Sequence, residues 1–278
     1  MLVRHRHRVP ELTDVRRFRN VWEGPASLAL RDADATIVTV YDTHERIIPV
    51  TEDDANATIV ADWWDDLRSG RDVVIVADTN SDAAELAALC QVQRRDAGDV
   101  GPGMVPLADG NIAGVGDLIQ TRLNDRDLIA SDGRRVANRD TWTVLNAGPD
   151  GVLAQRANGS PATVNIPLGY LDKHAQLAYA GTIHAVQGRT VDVARSLITP
   201  STGRSALYVA MTRGRHANVA YTVTDGHEHP EFGTGKVTAP AAFTAALERD
   251  DRQHSARSTL ADALDAETSI ATLTARQA

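Results

Sequence analysis

The stretch DVVIVAD, residues 72–78, places five consecutive apolar residues between two acidic ones. An unbroken run of Val and Ile of this length, bounded by polar residues, is typical of a strand that is buried on both faces. Such strands occur in parallel sheets that carry helices on each side. The stretch therefore predicts a parallel strand inside an α/β fold.

Two helical patterns flank this stretch. Residues 51–70 predict a helix with Thr51 as its N-cap and Gly70 just past its end. Residues 81–98 predict a second helix, with Ser81 as N-cap and Gly98 after the last turn. Strand and helix therefore alternate, as an α/β sheet requires.

The region before these helices predicts mixed structure. Residues 11–31 have the apolar spacing of helical pieces, which we expect to be broken at Gly24-Pro25. The β-branched stretch TIVTVYD, residues 36–42, predicts a short strand.

The pattern changes after residue 100. Short β-like runs separated by Gly, Asn, Asp and Pro predict a small antiparallel barrel or sheet, inserted into the α/β fold. The α/β pattern then resumes with predicted strands at 175–181, 193–199 and 217–224 and predicted helices at 182–188 and 205–215. We predict four segments: α/β at 1–100, the β-rich insert at 101–174, α/β again at 175–225, and a helical tail at 226–278.

The composition limits the classes of function. The chain has 278 residues and a net charge of −8, which argues against a surface built to coat duplex DNA but allows a narrow groove for a single strand. The single cysteine, Cys90, excludes an internal disulfide, so we expect a cytoplasmic protein. No apolar run reaches the ~18 residues of a membrane-spanning helix, so we expect no membrane partner.

The stretch TIHAVQGRTVD, residues 182–192, combines polar and flexible positions where a strand gives way to a helix. Thr182 lies where an N-cap belongs, and free N–H groups there can bind phosphate. Gln187 can donate and accept hydrogen bonds, and Gly188 lets a backbone approach closely. The alternative is a capped short helix in which His184 and Gly188 are structural.

The stretch ALYVAMTRGR, residues 206–215, runs from an apolar segment into two arginines. Arg213 is predicted at the end of a buried helix, near the carboxyl edge of the sheet, where ligands of open α/β folds bind. A fixed guanidinium there suits the stabilisation of a transferring phosphoryl group. The alternative is that Arg213 and Arg215 only offset the dipole of the helix.

Taken in order, T-x-H-x-x-Q-G and Y-V-A-M-T-R-G-R resemble motifs V and VI of superfamily 1 DNA helicases. Longer stretches resemble the helicase region of TraI/TrwC-type (MobF) conjugative relaxases, which is itself similar to RecD-like helicases. These stretches are LTDVRRFRNVWEGPASLALR, GDLIQTRLNDRDL, LGYLDKHAQLAYAGTIHAVQGRTVD, ALYVAMTRGRHANVAYTV and HSARSTLADAL. The resemblance covers roughly residues 10–270.

The resemblance implies a second RecA-like domain, a P-loop NTPase-type parallel sheet, that carries a small inserted β-barrel subdomain. It implies that Arg17, or its neighbour Arg16, corresponds to motif IV. It implies that Arg17 and Arg213 reach the γ-phosphate of ATP as catalytic groups, with Gln187 and Gly188 on the nucleotide side. It also implies that Thr182 and His184 face single-stranded DNA.

The chain lacks the P-loop that ATP hydrolysis requires. Its only Gly-Lys pair, Gly235-Lys236, is followed by Val237, and Pro230 stands where the first glycine of a P-loop belongs. DVVIVAD also lacks a second acid after Asp78. ATP with Mg²⁺ would therefore be shared with a first, N-terminal RecA-like domain, in cis or in trans, and we expect this chain to be inactive as an ATPase by itself.

The sequence thus favours the C-terminal part of an ATP-dependent single-stranded DNA translocase for conjugative transfer, with 5′→3′ polarity implied by the resemblance. One alternative is a non-catalytic remnant or accessory module that binds single-stranded DNA. Another is an unrelated α/β nucleotide hydrolase.

Other candidate sites carry less weight. We expect no metal site, since His5 and His7 are an isolated pair near the N-terminus. Trp63, Trp64 and Trp142 could stack on bases, but the simpler interpretation is that one of Trp63 and Trp64 is a core residue, with the other half-exposed, and that Trp142 lies in the core of the insert.

Overall fold

The stretch 72–78 forms the predicted strand, and all of its strand residues are buried. The structure is a computed structural model that describes residues 17–224 and 237–249. Its helices are α1 Glu23–Arg31, α2 Ile37–Thr43, α3 Ala55–Arg68, α4 Asn80–Asp96, α5 Leu168–His174, α6 Ile183–Val186, α7 Arg204–Ala210 and α8 Ala239–Glu248. Its strands are β1 Ile47–Val50, β2 Val73–Ala77, β3 Gly103–Pro106, β4 Ile112–Gly114, β5 Leu118–Thr121, β6 Thr141–Gly148, β7 Gly151–Arg156, β8 Thr163–Pro167, β9 Ala175–Leu177, β10 Ala180–Thr182, β11 Val191–Ile198 and β12 Gly214–Val223.

A five-stranded sheet in the order β1-β12-β11-β2-β10 forms the centre of the α/β part. All of its neighbouring strands run parallel. The prediction of an α/β fold built on a parallel sheet is therefore confirmed.

The two faces of this sheet carry different helices, as the alternation of side chains along β2 shows. Val73 and Ile75 belong to the core cluster that includes residues of α3 and α4. Val74 and Val76 belong to a second cluster with Val186 of α6 and Ala210 of α7. Full burial of a Val or Ile side chain is worth roughly 1.5–3 kcal/mol, so the apolar run fixes β2 between two helical layers.

Residues 37–43 form helix α2, so the prediction of a strand at 36–42 is wrong. Val38 and Tyr41, three positions apart, point to the same side and are buried. The Tyr41 ring lies 5.9 Å from the ring of Phe243 in α8. Packing against a distant helix therefore outweighs the β propensity of the local sequence.

Helix α1 runs through Gly24-Pro25, where we predicted a break. Pro25 lies in the first turn, where its missing N–H has no intrahelical partner to lose. The predicted helix at 205–215 ends at Ala210, and Gly214 already begins β12.

The N-termini of α3 and α4 differ slightly from the prediction. Helix α4 is capped by Thr79, whose hydroxyl accepts a hydrogen bond from the Asp82 N–H at 3.1 Å, and not by Ser81. Helix α3 has Asp54 as its N-cap residue; Thr51 and Asp54 exchange hydrogen bonds one turn earlier, at 2.7 and 3.2 Å.

The inserted β-rich part contains the hairpin β3-β4 and a five-stranded antiparallel sheet in the order β8-β7-β6-β5-β9. Its buried side chains include Ile119, Trp142, Val144 and Ile166. No ladder joins the outer strands β8 and β9 within the described residues, so the prediction of a closed barrel is not confirmed.

The predicted strand at 175–181 is divided between the two sheets. Strand β9 pairs with β5 in the antiparallel sheet, whereas β10 pairs with β2 in the parallel sheet. Tyr179 lies between them, and its hydroxyl donates to the buried Asp117 carboxylate at 2.7 Å and accepts from Arg94 at 2.9 Å. Tyr179 therefore ties the junction of the sheets to helix α4.

None of the helices within residues 17–224 and 237–249 is both long and apolar enough to span a bilayer.

Candidate functional site

Arg213 lies at the amino edge of the parallel sheet. It occupies the turn between α7 and β12, and its carbonyl accepts a hydrogen bond from Val191 N–H, at the start of β11, at 3.1 Å. The prediction that Arg213 lies at the carboxyl edge is therefore wrong, because α7 ends before Arg213 and the strand that follows leads away from it.

The turn that holds Arg213 depends on Gly214. The amide of Asn218, which is buried, accepts from Gly214 N–H at 2.7 Å and donates to Gly214 O at 3.1 Å. A Cβ atom at position 214 would lie 2.0 Å from the Ala217 carbonyl oxygen, so only glycine fits. Asn218 has no motif around it, so its role in this turn could not be predicted from the sequence.

The guanidinium of Arg213 is buried without a carboxylate partner among the described residues, and the residue is 7% exposed. Its Nε donates to Val209 O and its Nη2 donates to the Thr212 hydroxyl, each at 2.9 Å. Both acceptors are neutral, so no negative charge among the described residues compensates the guanidinium.

Arg17 brings a second positive charge close to the guanidinium of Arg213. Its Nη1 donates to the carbonyl oxygen of Thr212. The backbone of Arg19 donates to Arg215 O at 2.7 Å, which holds the segment along the start of β12. Arg16, the alternative match to motif IV, lies outside the described residues.

Burial and, to a smaller extent, the charge of Arg17 together lower the pKa of Arg213 to about 10, against the opposing effect of Tyr208. A lowered pKa means that the surroundings disfavour the cation. A negatively charged group nearby would stabilise the cation and raise this pKa again. Arg17 and Arg213 therefore form a cationic pair suited to binding an anion.

Thr182 ends strand β10 and caps helix α6. Its hydroxyl accepts from the Ala185 N–H at 3.3 Å, as predicted for an N-cap. Thr182 is buried, whereas His184 is exposed. Since Thr182 pairs with Ala77, the last residue of β2, it lies at the carboxyl edge of the sheet, opposite Arg213.

Gln187 and Gly188 form an exposed loop after α6, which we call the Gln-Gly loop. Gly188 has a φ of 92°, a conformation that favours glycine. Both residues line a cleft of 760 Å³ between the parallel and antiparallel sheets. Three residues later, Val191 bonds to the carbonyl of Arg213, so the loop leads into the amino edge where the cationic pair lies.

Three arginines also line this cleft, and the sequence analysis missed them. Arg156 pairs with Asp140 at 2.8 Å, and Arg189 pairs with Asp72 at 3.1 Å. Arg139 instead donates to the carbonyl oxygen of Gln187 at 2.8 Å. No local pattern marks Arg139, because its partner lies 48 positions further along the chain.

The tryptophans do not offer a free stacking platform. Trp142 is buried, as predicted, and Trp63 is the buried member of the Trp63-Trp64 pair. Trp64 is half-buried, with the Arg68 guanidinium 5.5 Å from its ring centre. His5, His7 and Gly235-Lys236 lie outside the described residues.

The chain is similar to proteins of conjugal transfer. It is 28% identical to the conjugal transfer protein TraA of Rhizobium radiobacter over 211 residues, which is 74% of this chain and 18% of TraA. TraA of Agrobacterium fabrum is 28% identical over 209 residues, with the same coverage. An uncharacterised protein of Mycobacterium tuberculosis is 35% identical over 109 residues, 39% of this chain and 61% of the relative. The chain thus spans less than two thirds of each of these relatives.

No family model matches the chain. Among solved structures, the Pif1 helicase from Bacteroides in complex with ADP-AlF3 and single-stranded DNA has a TM-score of 0.45 at 14% identity, covering 84% of this chain and 53% of Pif1. The Pif1 helicase from Candida albicans has a TM-score of 0.44 at 13% identity, covering 77% of this chain and 56% of Pif1.

Proposed function

We propose that this chain is the second RecA-like part of a DNA helicase used in conjugative transfer. It supplies arginines to ATP hydrolysis and a surface to single-stranded DNA, which it tracks with 5′→3′ polarity. The observation that carries the proposal is the buried guanidinium of Arg213, which lies beside Arg17 and has no carboxylate partner among the described residues.

This arrangement of charges is costly to the folded chain. A buried charge without a counter-charge destabilises the folded chain, and a second cation beside it adds repulsion. Such an arrangement persists where the protein uses it, and a phosphate that arrives from outside offsets both costs. A pre-placed guanidinium that meets the charge of a transferring phosphoryl group is the arginine-finger role.

The described residues fit only part of a site for ATP with Mg²⁺. Arg17 and Arg213 suit the γ-phosphate, but no three His, Cys, Asp or Glu side chains converge on a possible metal site in the described part of the chain. We infer that the phosphate cradle and the Mg²⁺ ligands come from a first RecA-like domain, in cis or in trans, which places this chain's arginines across the cleft between the domains.

The DNA-contacting surface is assigned to the opposite edge of the sheet. Thr182 and the exposed His184 lie there, on the far side from Arg213. This separation gives the motor one edge for nucleotide and another for DNA. The similarity to TraA over 74% of the chain supports the assignment to conjugative transfer.

The proposal is tested by ATP hydrolysis. The chain is assayed alone and mixed with a purified first RecA-like helicase domain that carries a P-loop, with and without oligo(dT). We expect no turnover by the chain alone, DNA-stimulated turnover in the mixture, and a loss of about 100-fold or more in kcat with Arg213→Met. Arg215→Met, which alters the neighbouring half-buried arginine, is the control. Full turnover by Arg213→Met, or turnover by the chain alone, would contradict the proposal.

DNA binding is measured separately, by fluorescence anisotropy with a fluorescein-labelled dT20 oligonucleotide. We expect the chain to bind and His184→Ala to weaken binding several-fold, whereas His174→Ala, on α5, leaves it unchanged. Binding that no nucleotide or P-loop domain affects, together with no turnover in any mixture, would favour the accessory DNA-binding module instead.

A further inference from the structure

Arg139 has a backbone conformation that few side chains adopt. Its φ is 74°, in the left-handed region that favours glycine. Residues other than glycine that hold such a conformation are concentrated at functional positions, where the surrounding structure maintains the strain. The conformation is therefore a reason to ask what its side chain does.

The turn around Arg139 is fixed by the antiparallel sheet. Arg139 N–H donates to Thr121 O at 2.6 Å, and the Thr121 hydroxyl donates to Ala137 O at 2.7 Å. The Asp140 carboxylate accepts from Ala137 N–H at 3.0 Å. These bonds join the end of β5 to the start of β6, so the direction of Arg139 is set by the sheet.

The side chain of Arg139 reaches out of the insert to the Gln-Gly loop. Its Nη1 donates to Gln187 O at 2.8 Å, at the end of helix α6, where carbonyl groups lack intrahelical partners. Arg156 and Arg189, the other arginines of the cleft, are paired with carboxylates. Arg139 has no carboxylate partner among the described residues, so the loop carbonyl is its anchor.

We propose that Arg139 is a positioning residue, through which the antiparallel sheet sets the conformation of the Gln-Gly loop. The proposal rests on the proposed function, in which this loop faces the nucleotide. The bond at Gln187 restrains the peptide just before Gly188, whose φ is 92°. The loop continues through Arg189, whose N–H donates to Val186 O at 3.0 Å, to Val191 beside Arg213. A shift of the inserted sheet would therefore move the nucleotide side of the site.

The test is hydrogen exchange of the full chain, read at the amide of Arg189. Arg139→Gly removes the guanidinium and accepts the positive φ without strain, and Arg139→Lys keeps a donor of similar length. Arg126→Gly is the control, since Arg126 is exposed in the same β5–β6 connection and its side chain makes no hydrogen bond or ion pair with other described residues. We expect exchange about tenfold faster in Arg139→Gly, protection largely restored in Arg139→Lys, and no change in the control.

Two results would overturn the proposal. One is an unchanged Arg189 amide in Arg139→Gly. The other is faster exchange spread equally over β5 and β6, which would make Arg139 a structural residue of the turn alone. The exchange measurement needs no nucleotide, DNA or turnover. The positioning role of Arg139 can therefore fail while the helicase proposal stands, and the helicase proposal can fail while the positioning role stands.

Discussion

Arg17 and Arg213 meet on Thr212: Arg17 donates to its carbonyl oxygen, and Arg213 donates to its hydroxyl at 2.9 Å. The two guanidinium groups come from opposite ends of the described chain, and the charge of Arg17 contributes to lowering the pKa of Arg213. Two cations held together beside neutral acceptors are costly to the free chain and useful to one that binds phosphate.

Arg213→Met should therefore stabilise the chain while it abolishes the proposed catalytic role. Methionine fills a similar volume and brings no charge, so we expect the free energy of unfolding to rise by about 1–2 kcal/mol. Urea denaturation at pH 7 measures this. The control Arg215→Met removes a partly exposed ion pair with Asp192 and should change stability by less than about 0.5 kcal/mol. A destabilised Arg213→Met would show that the guanidinium is a structural group.

Thr182→Val should destabilise the chain, because it removes the hydroxyl that caps α6 while keeping the branched shape. The expected loss is about 1 kcal/mol, the usual value of an N-cap bond. Thr182→Ser keeps the cap and should recover most of the stability. Equal stability of the Val and Ser variants would show that the 3.3 Å contact with Ala185 contributes nothing.

Glu23→Gln should raise stability at neutral pH. Burial raises the pKa of Glu23, against the opposing effects of Asn20 and Arg46, and its Oε1 has no hydrogen-bond partner within the described structure. Because the folded state holds the proton more tightly than the unfolded state, ionisation of Glu23 lowers stability as pH rises through the raised pKa.

We therefore expect Glu23→Gln to be more stable than the wild type by about 1 kcal/mol at pH 7. The difference should shrink as pH falls towards 4, where the wild-type carboxyl is protonated. Chemical denaturation at both pH values measures it, with the exposed Glu45→Gln as a control. A difference that does not depend on pH would mean that packing, and not ionisation, is the cause.

Tyr179→Phe should loosen the junction of the two sheets. It removes a hydroxyl that bonds to the buried Asp117, to Arg94 and to the Leu118 N–H at 3.1 Å. Leaving these groups without a partner should cost about 1–3 kcal/mol. Tyr170→Phe, whose hydroxyl has one acceptor in Leu123 O, should cost less. Thermal unfolding of the two variants, measured side by side, shows which of them loses more stability. A larger loss of stability in Tyr170→Phe would refute this account of the junction.

The sequence by itself determined the features that depend on neighbouring residues. The apolar run 72–78 had to be buried on both faces, and Thr182 had to cap the short helix that follows it, because both follow from local spacing and hydrogen bonding. The β-rich character of the insert followed in the same way from its turn residues.

Only the tertiary structure decided the features that depend on distant partners. Residues 37–43 are helical because Tyr41 packs on Phe243, and Arg213 lies at the amino edge because α7 returns the chain from the end of β11 to the start of the parallel strand β12. Arg139 joins the site because the folded insert carries it to Gln187. Local sequence rules cannot register these contacts, since their energy is gained only when segments far apart in the chain pack together.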